Sequence, residues 1–177
     1  ILNNHTNPDA GEITVGTTIK SAYLPNDNSD HFTSNESLID WLRRFANTEE
    51  EREDVYLRTF LGRMLFTGEE ALKSSSVLSG GEKVRCMLSK MMLAKGNLLF
   101  MDEPTNHLDL ESITALNNAM TEYRGTLLFT SHDQQLVNTV ANRIIEITPK
   151  GTIDKMMSYD EYLKDNKIIT LREEMYA

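Results

Sequence analysis

The sequence predicts a mainly parallel α/β sheet with a small N-terminal antiparallel piece and a helical insert. Three observations carry this. Leu98 to Met101 and Thr126 to Phe129 are short, wholly apolar runs, the pattern of strands covered on both faces. Stretches with apolar residues at helical spacing separate such runs, and alternating strands and helices imply parallel crossovers. Helix starts are marked as well: Thr48 with Glu51, Ser79 with Glu82 and Ser158 with Glu161 stand three residues apart, where each side chain can satisfy an otherwise unpaired amide.

Taken in order, Asn7 to Gly11 is dense in turn formers, and Glu12 to Val15 and Thr17 to Tyr23, divided by Gly16, predict two short strands joined by a turn. Pro25 to Thr33 is polar and is expected as an exposed loop. Ser34 can cap a helix with Leu38, Ile39, Leu42 and Phe45 on one face and Trp41 beside them. Thr48 and Glu51 open a second helix presenting Val55, Tyr56, Phe60 and Leu61, and its acidic start, Glu49 to Glu51, reads as a solvated first turn at the positive end of the helix dipole. Ser79 and Glu82 start a third helix, which ends near Gly96. The strand Leu98 to Met101 follows, then a helix capped by Asp109 with Ile113, Leu116 and Met120 as its core stripe. After Thr126 to Phe129, Arg143 to Ile147 predicts a further strand, Gly151 to Ile153 a strand that turns back, and Ser158 a C-terminal helix. Residues 34–96 form a helical subdomain on this reading, and 97–155 a sheet core.

Composition excludes several classes. The net charge of −9 over 177 residues argues against a basic nucleic-acid surface. The single cysteine, Cys86, cannot form an internal disulfide, and a reducing cytosol is the default. No apolar run approaches the roughly 20 residues that cross a bilayer, so no direct membrane insertion is expected. The chain begins at Ile1 without a methionine. Ile1 to Asn4 reads as the last turn of a helix, and a piece of a longer protein is expected.

The chemistry concentrates between Leu78 and Asp133. In open α/β sheets ligands gather at the carboxyl ends of the strands, where Asp102-Glu103 and Ser131-His132 both fall. Asp102 at a buried strand end can hold a magnesium ion that bridges phosphates, and Glu103 can orient or deprotonate an attacking water. Ser79, Gly80 and Gly81 place backbone amides at a helix N-terminus, a geometry that binds anions, although Ser-Gly-Gly-Glu alone is equally a cap and a turn. His132 alone would be a surface histidine; its place after Thr130-Ser131 makes it a candidate γ-phosphate contact. Cys86, Met87, Met91 and Met92 read as packing residues, His5 and His31 as loop residues without metal-binding spacing, and His107 as a polar turn residue.

Leu78 to Glu82 resembles the signature motif of the ABC ATPases, Leu98 to Glu103 their Walker B strand, Asn106 to Asp109 their D-loop region and His132 their switch histidine. Glu82 in place of the commoner glutamine, with Glu103-Pro104-Thr105-Asn106-His107-Leu108-Asp109, is most similar to the ABC-F class, near its YbiT-like branch. That class carries two ATPase domains on one chain and no membrane domain. The resemblance covers nearly the whole sequence and implies a partial ABC-type domain, the second of such a protein, in the cytoplasm. It implies that Asp102 holds Mg2+, Glu103 is the catalytic base and His132 senses the γ-phosphate of ATP. It also implies that Ser79, Gly80, Gly81 and Glu82, with Asp109, serve a site completed by the second ABC ATPase domain of the same parent chain. The ribosome is the implied partner, with a role in translation; the alternative is the ATPase subunit of a membrane transporter.

Two departures stand out. Asn26 occupies the place of the Q-loop glutamine. No G-x-x-x-x-G-K-[ST] phosphate loop occurs in the 177 residues, and in the family it would precede Ile1. The isolated chain is therefore expected to be inactive toward ATP, and a sheet edge left open by the absent strand is expected to favour self-association.

Overall fold

A computed structural model describes residues 2, 6–25, 28–106 and 108–177. Asn26, proposed above for the Q-loop place, lies outside the described residues, as do His5, His107 and most of the turn at Ile1 to Asn4. The chain divides into two compact units, Ile1–Thr130 and Ser131–Ala177.

In the first unit β1 (Ser21–Leu24), β2 (Leu98–Asp102) and β3 (Thr126–Thr130) form a parallel sheet in the order β1-β2-β3. Leu99 pairs with Ala22 and Leu127, and Met101 with Leu24 and Phe129. Leu99 and Met101 are buried because β2 is central. Asn97 sets this register at the amino end: its side chain accepts from Lys20 N–H at 2.8 Å and donates to the Thr18 carbonyl at 2.9 Å, while its own carbonyl accepts from Thr126 N–H.

Two strand expectations are corrected. Glu12 to Val15 is irregular and exposed, so the N-terminal antiparallel piece is not formed. A short apolar run gains little as a strand without a neighbour to pair with, and β1 takes its one partner, β2, in parallel. β3 is a strand, but as an edge it is exposed or half-buried at every position, with Leu128 39% exposed.

Three helices, α1 (Leu38–Arg43), α2 (Asp54–Arg63) and α3 (Gly80–Leu93), pack on one another, and α3 packs against β1. Ser37, and not Ser34, caps α1, accepting from Asp40 N–H at 3.1 Å. Trp41 is fully buried, stacks on Phe32 at 4.8 Å, meets Phe45 edge-on at 5.1 Å and donates its indole N–H to the His31 carbonyl at 2.8 Å. Phe32 is buried too, so the segment expected as an exposed loop supplies part of the core. Glu50–Arg52 is a single 3-10 turn and α2 starts afresh at Asp54; Leu57, Leu61 and Met64 are its buried face, whereas Val55 is 80% exposed. Cys86, Met87 and Met91 pack inside α3 as expected, and burial pushes the Cys86 thiol far above its ordinary range.

Glu51 corrects the solvated-turn reading. It is 2% exposed, accepts from Asn47 N–H at 2.8 Å and from Thr48 receives only a cap on its own amide. The Lys95 ammonium, bonded to the same carboxylate, and the Asn47 amide hold its pKa below the usual carboxylate range. A folded-state pKa that is depressed contributes stability above the unfolded value and loses it as pH falls. Glu51→Gln is therefore expected to lower the melting temperature at neutral pH, with the gap to wild type closing below about pH 4. A gap that stays constant through acid would remove the ion pair as its cause.

α4 (Leu110–Glu122) completes the first unit with Leu116 and Met120 buried and Ile113 half-buried. The second unit contains α5 (Gln134–Val140), the antiparallel pair β4 (Ile144–Thr148) and β5 (Gly151–Lys155), α6 (Tyr159–Lys164) and α7 (Asn166–Tyr176). Its core is Ile153, Tyr162 and Ile168. Glu146 gathers both terminal helices onto the pair by accepting from the Tyr162 hydroxyl, the Tyr176 hydroxyl at 3.0 Å and Arg172 at 3.1 Å. The expected capping box of Ser158 and Glu161 is present.

Candidate functional site

The carboxyl end of the parallel sheet opens into a cleft of about 410 Å³ lined by Leu24, Pro25, Asn28 and Ser29 after β1, Gly80, Lys83 and Val84 on the first turns of α3, and Asp102, Glu103, Pro104 and Asn106 after β2. A parallel sheet directs all its strand ends the same way, so the segments after β1 and β2, distant in sequence, meet there. Of the residues singled out from the sequence, Gly80, Asp102 and Glu103 line this cleft.

Asp102 ends β2 with its carboxylate in contact with the neighbouring strand: the Thr130 hydroxyl donates to Oδ1 at 2.6 Å. That bond fixes the carboxylate's rotation and directs one oxygen away from any ligand. Glu103 N–H donates to both the carbonyl and the hydroxyl oxygen of Thr130, each at 3.2 Å. Glu103 has φ = +47°, a left-handed conformation that costs a non-glycine residue about 1–3 kcal/mol and persists where its surroundings over-determine it. Thr130 is the residue that does so, and it escaped the sequence reading because nothing in its own strand marks it. The chain then turns through Asn106 N–H to the Glu103 carbonyl at 3.1 Å, and Asp109 caps α4 by accepting from Ser112 N–H at 2.7 Å. The Ser112 bond holds the Asp109 carboxyl below its usual range.

Ser79 and Glu82 form the full capping box at the start of α3, with Glu82 N–H donating to the Ser79 hydroxyl at 3.3 Å and Ser79 N–H donating to the Glu82 carboxylate at 2.8 Å. Ser79 and Gly80 are exposed. His132 belongs to the second unit and is exposed, just before Asp133, which caps α5 through the amides of Gln135 and Leu136.

The cleft fits a phosphate-bound divalent cation on its donor chemistry. No group of three metal-ligating side chains occurs among the described residues, but magnesium commonly takes one or two protein carboxylates and fills its octahedron with water and substrate phosphates. Asp102 brings one carboxylate to this cleft and Lys83 one cationic side chain. Asn28 is 5% exposed and its side-chain oxygen is buried without a hydrogen-bond partner, while its amide nitrogen donates to the Pro25 carbonyl at 2.9 Å. An orphaned buried acceptor in the same cleft as Asp102 is the sort of group a hydrated cation satisfies. Neither Asn28 nor Lys83 was legible in the sequence, since an isolated Asn in a polar loop and a Lys on a helix carry no spacing signal.

Comparison with known proteins bears on this arrangement. The profile of the ABC transporter family matches residues 1–106. The ABC transporter ATP-binding protein YkpA of Bacillus subtilis is 54% identical over all of this chain and a third (33%) of its own length. The probable ATP-binding protein YbiT of Escherichia coli is 40% identical over 91% of this chain and 30% of its own. The energy-dependent translational throttle protein EttA of E. coli K12 is 33% identical over 93% of this chain and 30% of its own. The chain thus spans about a third of the length of the curated relatives it matches. The ATP-binding cassette MJ0796, a dimer bound to ADP and Pi, has the same fold, with a TM-score of 0.57 at 20% identity over 72% of this chain and 58% of that one. On the family match and these relatives, the chain belongs to the ABC transporter family of ATP-binding proteins and, within it, to the ABC-F class.

Proposed function

We propose that this chain supplies the metal, base and signature groups of an ATP-hydrolysing site in a cytoplasmic ABC-F protein that acts on the ribosome in translation. The observation that carries the ATPase reading is the clamp of Thr130 on both the Asp102 carboxylate and the Glu103 backbone at the carboxyl end of the sheet. Bound magnesium would supply charge stabilisation to the phosphates. The chain's residues do the rest: Asp102 holds the cation, Glu103 orients water and accepts its proton, and His132 contacts the γ-phosphate. The Ser79 side chain and the amides of Gly80 and Gly81 serve the nucleotide of the second ATPase domain of the same parent chain, in keeping with ABC ATPases working as paired domains. Residues 1–177 contain no lysine-bearing phosphate loop, so the chain by itself is a half-site and is inactive alone.

The ribosomal partner rests on the relative EttA, a translational throttle protein. Among the described residues no helix is long and apolar enough to cross a membrane. The test is the full-length protein carrying Glu103→Gln, followed through cell extracts fractionated in Mg-ATP. Co-migration with ribosomes is the expected result, and recovery with membranes would make the protein a transporter subunit.

A further inference from the structure

Glu82 poses an electrostatic problem for an anion site. Its carboxylate stands in the first turn of α3, the same turn whose Gly80 and Gly81 amides would receive a phosphate. The aligned peptide dipoles give a helix start about half a positive charge. A full negative charge at the third helical position outweighs that half charge, and the turn would repel the anion it is shaped to bind. A neutral side chain with the same carbonyl could cap Ser79 without this cost.

The structure supplies the missing charge from outside the helix. Lys73 Nζ lies 2.6 Å from Glu82 Oε1, while Oε2 accepts from Ser79 N–H. The Glu82 side chain is 15% exposed and that of Lys73 39%. Burial raises the Glu82 carboxyl, but the Lys73 ammonium and the Ser79 amide outweigh it and keep the group ionised. The backbone delivers Lys73 here independently of its side chain: the Lys73 carbonyl accepts from Leu38 N–H at 3.1 Å, and Ser74 bridges to Ser37 at the cap of α1.

We infer that Lys73 is a positioning residue for the nucleotide site: its ammonium cancels the Glu82 carboxylate, so that the Ser79–Gly81 turn keeps the positive field of the helix start while retaining its capping box. The inference rests on the ATPase reading above. It assigns a role to a residue nine positions before Glu82, outside α3.

A double-mutant cycle in the full-length protein tests it, with ATP hydrolysis followed for kcat and KM. Lys73→Met leaves the backbone bonds to α1 in place and is expected to lower kcat/KM for Mg-ATP about tenfold, the effect of one uncompensated charge a few ångströms from a phosphate at intermediate dielectric. In the Glu82→Gln background, where there is no charge to cancel, the same substitution is expected to change kcat/KM by less than about twofold relative to Glu82→Gln alone. Lys73→Arg keeps the charge and is expected to stay near wild type. Equal losses from Lys73→Met in both backgrounds would make Lys73 a mechanical tie and overturn the inference, as would no loss in either, or a loss in Lys73→Arg as large as in Lys73→Met. Failure of the unsubstituted full-length protein to hydrolyse ATP would instead overturn the ATPase reading itself, and the two failures are separate.

Discussion

Glu103→Gln in the full-length protein is expected to lower ATP hydrolysis by about 10²–10⁴-fold, the range of a general base, while Mg-ATP binding persists. The substitution keeps the side chain's size and leaves the backbone clamp untouched, since Glu103 N–H, not its carboxylate, bonds Thr130. Asp102, which would hold the cation, keeps its own bond from the Thr130 hydroxyl. Binding and hydrolysis should therefore separate. Steady-state phosphate release together with retention of labelled ATP on the protein measures both. Hydrolysis within threefold of wild type would remove Glu103 from the chemistry, and loss of binding along with hydrolysis would show that the residue shapes the cleft instead. The strained backbone at Glu103, φ = +47°, adds a related consequence: Glu103→Gly relieves the strain but removes the carboxylate, so greater stability with lost turnover would show strain held in the service of the site.

Trp41→Ala is expected to destabilise the helical part of the first unit by about 3–5 kcal/mol, the range for truncating a buried aromatic. Trp41 is fully buried between Phe32 and Phe45, and its indole N–H is the partner of the His31 carbonyl. Removal leaves a cavity between the segment after β1 and helix α1, and an unpaired carbonyl at its wall. Trp41→Phe restores most of the ring and loses only the hydrogen bond, for about 1 kcal/mol. Hydrogen exchange of the α1, α2 and α3 amides in the full-length protein reads the effect locally. Protection that falls no further in Trp41→Ala than in Trp41→Phe would mean that the cavity collapses and the packing account is wrong.

Sequence alone determined those features that depend on residues a few positions apart. The capping boxes at Ser79–Glu82 and Ser158–Glu161 and the Asp109 cap formed as read, because the bonds that define them span three residues. Leu98 to Met101 was legible as a strand because four consecutive apolar residues between two helical patterns suit burial in a sheet, and the Asp102-Glu103 pair that follows then had to lie at the carboxyl edge. The ABC-F class was legible for the same reason, since its marks are contiguous.

The tertiary structure decided everything that depended on which distant segment came to lie alongside. Thr126 to Phe129 reads as a buried strand but stands at a sheet edge, since apolar composition does not say how many neighbours a strand will have. Glu51 reads as solvated and is buried against Lys95, 44 residues away; Thr130 holds the Asp102 carboxylate and the Glu103 backbone N–H from 28 and 27 residues away; Lys73 reaches Glu82 from outside the helix. A charge, a hydroxyl or an edge acquires its role from partners brought together by chain folding, and no periodicity within a local window encodes them.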